Sequence, residues 1–215
     1  TMDQDPKGHL DTVFGLAQRH GRPVDIHLHE PAELGLFSMG LIVERCRALG
    51  MAGKVTISHA FCLGMNDWLA VGRMLDTLAS AGIALMTTAP AGWPAPPVKR
   101  AHAAGITICS GSDGIRDLWH PYGNADMLDR ARQLGLRNGL DKDEEVALAL
   151  QICTQGGARV MALEGYGLEP GCLADLVLVE ARNLPETVVL CPPRQLVVKG
   201  GKVVARDGHA LCEAP

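Results

Sequence analysis

The stretch Val24-Asp25-Ile26-His27-Leu28-His29-Glu30 decides the fold, because it reads as a strand whose C-terminal end hands histidine and glutamate to the next loop. Side chains alternate across a strand, so Asp25, His27 and His29 share one face while Val24, Ile26 and Leu28 share the other. Glu30 opens the loop. A His-x-x-Glu at such a place sets a metal ligand beside a proton carrier. A merely polar strand end gives the same letters, so the surroundings must decide between the two.

Working outward, four apolar, β-branched runs read as buried strands over 24–28, 54–58, 83–88 and 106–110. An amphipathic helix over 5–19 precedes them, with Leu10, Val13, Phe14 and Ala17 on one stripe. Helical sequence follows each strand, over 32–49, 67–81, 97–104 and 122–136. The steps from His27 to His59, His59 to Thr87 and Thr87 to Asp113 are 32, 28 and 26 residues, close to the roughly 30 of a strand–helix–strand unit. That regularity predicts an α/β fold with a parallel sheet and outer helices. Two more helices are expected over 143–151 and 154–163. The tail then reads as all β, with strands over 173–180, 195–199 and 202–206, and Gly200-Gly201 in a hairpin turn. A boundary over 164–170 divides the chain into units 1–165 and 166–215.

Composition narrows the function classes. The chain has 215 residues, 47% of them hydrophobic, and a formal net charge of −4. It can bury a substantial core. No basic stripe marks it for nucleic acid or an anionic membrane, and no apolar run reaches the roughly 20 residues of a membrane span. Seven scattered cysteines, 46, 62, 109, 153, 172, 191 and 212, read as reduced thiols of a cytosolic protein. Phosphate-cradling, dinucleotide-binding and serine-nucleophile motifs are missing, as is the paired-cysteine pattern that binds catalytic zinc in one group of enzymes.

Four βα units make half of a (β/α)8 barrel, a fold whose catalytic groups stand at the C-terminal ends of strands. His27 with Glu30, His59 and Asp113 all fall at such ends. Singly, each has a blander reading: a strand-end histidine satisfied locally, or an aspartate serving turn chemistry in Ser110-Gly111-Ser112-Asp113-Gly114. Together they favour one shared site. His29 either lines that site or makes a structural hydrogen bond. His9, His20, His102 and His209 read as peripheral, and Cys62 as a small buried hydrophobe.

With these segments on the page, a family resemblance becomes specific. Val24-Asp25-Ile26-His27 through Glu30, Thr56-Ile57-Ser58-His59, Gly111-Ser112-Asp113 with Trp119, and Pro121-Tyr122-Gly123-Asn124-Ala125-Asp126-Met127-Leu128 resemble the C-terminal half of a cytosine deaminase-type enzyme of the amidohydrolase superfamily. Gly171-Cys172-Leu173-Ala174-Asp175-Leu176-Val177 and Val198-Lys199-Gly200-Gly201-Lys202-Val203 are similar to the small β-sandwich that ends such chains. The resemblance implies barrel strands five to eight followed by part of that sandwich. It implies His27 and Asp113 as metal ligands and His59 as the hydrogen-bond partner of an attacking hydroxide. Glu30 and Asp113 would move protons, and Trp119 would wall the pocket beside His120.

The implied reaction is metal-dependent hydrolytic deamination of a cyclic, nucleobase-like small molecule such as a pyrimidine, pterin or triazine, by metal-bound hydroxide. Zinc or iron is the expected cation, with manganese a third choice. The alternatives are cleavage of a cyclic amide or alkylamine C–N bond, or a non-catalytic piece of a split barrel. Two departures from the pattern stand out. The His-x-His of the first barrel strand has no counterpart, since only 86 residues separate His27 from Asp113. An N-terminal half of the barrel is therefore expected as partner, the chain alone is expected to be inactive, and an apolar sheet face should lie uncovered. Homo-oligomerisation is also expected. Second, Gly114 stands where the family pattern has another aspartate, which implies a larger pocket and an altered substrate.

Overall fold

The four apolar runs form β1 (Val24–Leu28), β2 (Val55–His59), β3 (Ile83–Thr87) and β4 (Ile108–Ser110) in a computed structural model that describes residues 4–211. All pair in parallel, in the order β1-β2-β3-β4. Helices α1 (Pro6–His20), α2 (Ala32–Ala48), α3 (Trp68–Ser80) and α4 (Val98–Ala103) alternate with the strands. Their local signals are plain. Asp5 and Asp67 cap α1 and α3 by accepting backbone N–H bonds, and each strand is too β-branched and too short to continue as helix.

Beyond β4 come α5 (Met127–Asn138) and α6 (Asp143–Gln151), a π-helical turn (Ile152–Gly156) and α7 (Gly157–Val160). The helix expected from 122 starts only at Met127. Asp126 is its cap, accepting from the N–H of Leu128 at 3.0 Å and Asp129 at 3.3 Å, and the left-handed Ala125 (φ 56°) stops the helix from extending backward. Residues 111–126 are consequently loop.

The core lies between sheet and helices. Val55, Ile57, Ile83 and Leu85 on the strands and Phe14, Met39, Ile42, Leu78 and Leu134 on the helices are at most 2% exposed. Each such side chain contributes about 1.5–3 kcal/mol by leaving water. The opposite face differs from the apolar surface expected. By register it carries Asp25, His27, Thr56 and Ser58 beside Ala84, Met86 and Cys109, and Ser58 Oγ donates to Asp25 Oδ1 at 2.6 Å. Polar groups prevail at its β1–β2 side, toward the histidines.

The tail contains an antiparallel sheet of β5 (Leu176–Val179), β6 (Arg194–Lys199), β7 (Lys202–Arg206) and β8 (His209–Ala210). Gly200 and Gly201, with φ of 55° and 78°, make the β6–β7 turn where L side chains would be strained. The tail is not all β, however. Helix α8 (Leu184–Leu190) interrupts it, because Asn183 accepts from the N–H of Glu186 at 2.8 Å and Pro185 suits a first turn. Val188 carries α8 into the core, where it packs on α5 and α6. Arg194 of β6 also pairs with Asp126 at the head of α5. Cys212 lies outside the described residues. No helix among them is long and apolar enough to cross a membrane.

Candidate active site

The C-terminal ends of the parallel strands hold the chemistry. His27 sits in β1, and His29 and Glu30 follow it directly; His59 ends β2, and Asp113 comes three residues after β4. Strand alternation alone would put His59 on the face of Val55 and Ile57. Instead the residue adopts φ 70°, with Ala60 N–H donating to Ser58 O at 3.0 Å across it, the i to i+2 bond of a γ-turn. This turn swings the imidazole across the sheet end. Its ring centroid lies 4.8 Å from that of His27 and 4.5 Å from that of His29, both edge-on.

One potential ligand atom from each of His27, His29 and His59 lies within 4.8 Å of the others. His59 Nε2 is also 3.8 Å from Asp113 Oδ2. His59 is 3% exposed, and neither of its ring nitrogens has a hydrogen-bond partner. An orphaned buried imidazole is costly unless something binds it. Burial holds His59 below the ordinary imidazole range, helped by His29, while Asp113 pulls the other way. His29 is likewise lowered by burial and then by His27. His29 and His59 are thus biased toward the neutral imidazole, the form that ligates metal, with a carboxylate alongside. These donors fit a divalent cation of the zinc or iron type.

The remaining residues named from sequence are placed less centrally. Glu30 is half-buried, and its charge is felt by His29 and Cys62. Trp119 is 96% exposed, and His120 lies on the surface with its ring 5.1 Å from Tyr122. Gly114 is half-buried in the same loop. Cys62 is fully buried, its thiol pushed up to about 12 by burial, which leaves no thiolate to bind metal near neutral pH. Sequence reasoning left His29 divided between two roles; its same-face spacing from His27 was the available signal for the cluster.

Residues 1–205 match the amidohydrolase family. The chain belongs to the amidohydrolase family. It is 48% identical to the protein in the crystal structure of N-isopropylammelide isopropylaminohydrolase from Burkholderia multivorans ATCC 17616, with a TM-score of 0.93 over 96% of this chain and 53% of that one. It is 30% identical over 210 residues to N-isopropylammelide isopropyl amidohydrolase of Pseudomonas sp. (strain ADP), covering 96% of this chain and 52% of the relative. The 5-methylcytosine deaminase of Klebsiella pneumoniae, solved with 5-fluorocytosine, follows at 25% identity and TM-score 0.84, covering 97% of this chain and 54% of that one. The chain spans about half the length of these relatives.

Proposed function

We propose that this chain supplies one side of an active site that hydrolyses an exocyclic C–N bond on a nitrogen heterocycle, with N-isopropylammelide as the leading substrate. The observation that carries the reading is the convergence of His27, His29, His59 and Asp113 at the strand ends. The 48% identity to the Burkholderia enzyme favours a ring bearing an alkylamine over one bearing a free amine. In this reading barrel strands five to eight are β1 to β4, and the strands that close the barrel accompany them in the working protein. The division into units 1–165 and 166–215 belongs to the same reading.

His27 and Asp113 would hold the divalent cation. Such a cation supplies Lewis acidity, bringing the pKa of water near 7. His59, neutral and otherwise unpartnered, accepts a hydrogen bond from the attacking water and orients it toward the ring carbon. Glu30 takes one proton from the water and passes it to a ring nitrogen, and Asp113 takes the second from the newly attached hydroxyl and delivers it to the departing amine. The new bond is carbon to oxygen; the broken one is carbon to exocyclic nitrogen. Trp119 and His120 would flank the ring, with Gly114 in the same loop.

The test is to assay the chain, alone and co-expressed with the N-terminal half of the Burkholderia enzyme, against N-isopropylammelide, cytosine and a pterin. Release of isopropylamine supports the reading. Ammonia from cytosine or the pterin would shift it to free-amine deamination, and no product from any ring in the reconstituted protein would overturn it.

A further inference from the structure

The loop that follows β4 shows that the room beside Gly114 is taken. A Cβ built on Gly114 would lie 2.9 Å from Asp117 Cγ and 3.1 Å from Oδ1, with Oδ2 nearer still. All three carboxyl atoms are inside normal contact distance, so a side chain at 114 and the Asp117 carboxylate cannot both keep their places. That carboxylate has its own work. Oδ1 accepts from the N–H of Trp119 at 2.9 Å and of His120 at 3.1 Å. The loop is closed again where Arg116 N–H donates to Tyr122 O at 3.2 Å. Gly123 (φ 108°) lets its backbone pass Gly114, since a Cβ there would come within 2.6 Å of Gly114 O. Asp113 and Arg116, at φ 60° and 51°, complete a tightly folded segment.

We infer that Asp117 is the positioning residue of this loop, fixing Trp119 and His120 through their backbone N–H groups, and that residue 114 is glycine because the Asp117 carboxylate fills its side-chain space. The inference deepens the proposed function, on which the pocket role of Trp119 and His120 rests. It also replaces the idea that Gly114 simply enlarges the pocket: the smaller residue admits a carboxylate from within the loop. Substrate fit is thereby set by how firmly Asp117 holds the Trp119–His120 edge.

The experiment uses Asp117→Ala, Asp117→Asn, Gly114→Ala and the Gly114→Ala/Asp117→Ala double variant in the reconstituted protein. KM and kcat are measured on N-isopropylammelide, and chymotrypsin cleavage after Leu118 and Trp119 is followed by mass spectrometry. Asp117→Ala and Gly114→Ala should each raise KM about tenfold with kcat nearly unchanged, and each should speed cleavage. Asp117→Asn, which keeps an accepting oxygen, should stay near the parent. The double variant should be no worse than either single one, because Gly114→Ala acts by evicting a group already gone. Additive effects, or an Asp117→Ala protein unchanged in both KM and cleavage, would overturn the inference. Should the parent turn over none of the rings, the functional reading fails on its own; the cleavage rates still decide whether Asp117 holds the loop.

Discussion

At the scale of single residues, His59 concentrates the site's character. Its folded-state pKa, like that of His29, is depressed, so the folded chain binds fewer protons than the unfolded chain once pH falls below the ordinary 6.5. Stability of the metal-free protein is therefore full above that value. It should decline as pH drops through 6.5 and level off below the depressed folded values. Thermal melts from about pH 8 to about pH 5 check this, and a His59→Asn variant should show a shallower acid decline; an equally steep one would remove His59 as its source. His27→Ala should weaken zinc binding by more than about 100-fold, beyond what the loss of an outer-shell partner costs, measured by competition with a chelator. The thiols give a further check. Cys62, Cys109 and Cys153 are pushed up to about 12 by burial, so iodoacetamide should label them only after denaturation. Fast labelling of native Cys62 would contradict its placement. The return of His59 toward His27 and His29 was not legible in the histidine's own letter, since no sequence signal announces a left-handed φ at a histidine.

At the scale of elements, strands were the most readable because four short β-branched runs leave little else for the backbone to do. Helix α8 was less readable. Its seven residues, Leu184–Leu190, include three β-branched ones, and the cap at Asn183 together with burial of Val188 outweighs their strand preference. Asn183→Ala should destabilise the protein by about 1 kcal/mol in urea titration, the usual cost of a lost helix cap. The π turn before α7 is held to β4 at close range. A Cβ on Gly156 would run into Ile108 O and lie 3.2 Å from its carbonyl carbon. Gly156→Ala should accordingly cost about 1–3 kcal/mol or more by overpacking, with the midpoint of unfolding as readout. An Ala variant of parent stability would mean that β4 and the turn can separate freely.

At the scale of the molecule, the parallel sheet ends in two strands, β1 and β4, each with one unpaired edge among the described residues. Unpaired edges and exposed apolar side chains such as Phe37 and Leu118 recruit partners. Light scattering of the isolated chain should show concentration-dependent association that falls when the N-terminal half of the Burkholderia enzyme is supplied; a monomer at every concentration would argue against it. The sequence by itself determined the repeat of strand and helix, the parallel order and the strand-end location of His27, His59 and Asp113, because those follow from local periodicity and spacing. Only the tertiary structure decided that His59 turns back toward His27 and His29, that Asp117 fills the space at Gly114, and that α8 joins the helical layer. Each of those depends on a backbone torsion or on where one side chain comes to rest against another group, and such couplings leave no period in the chain to read.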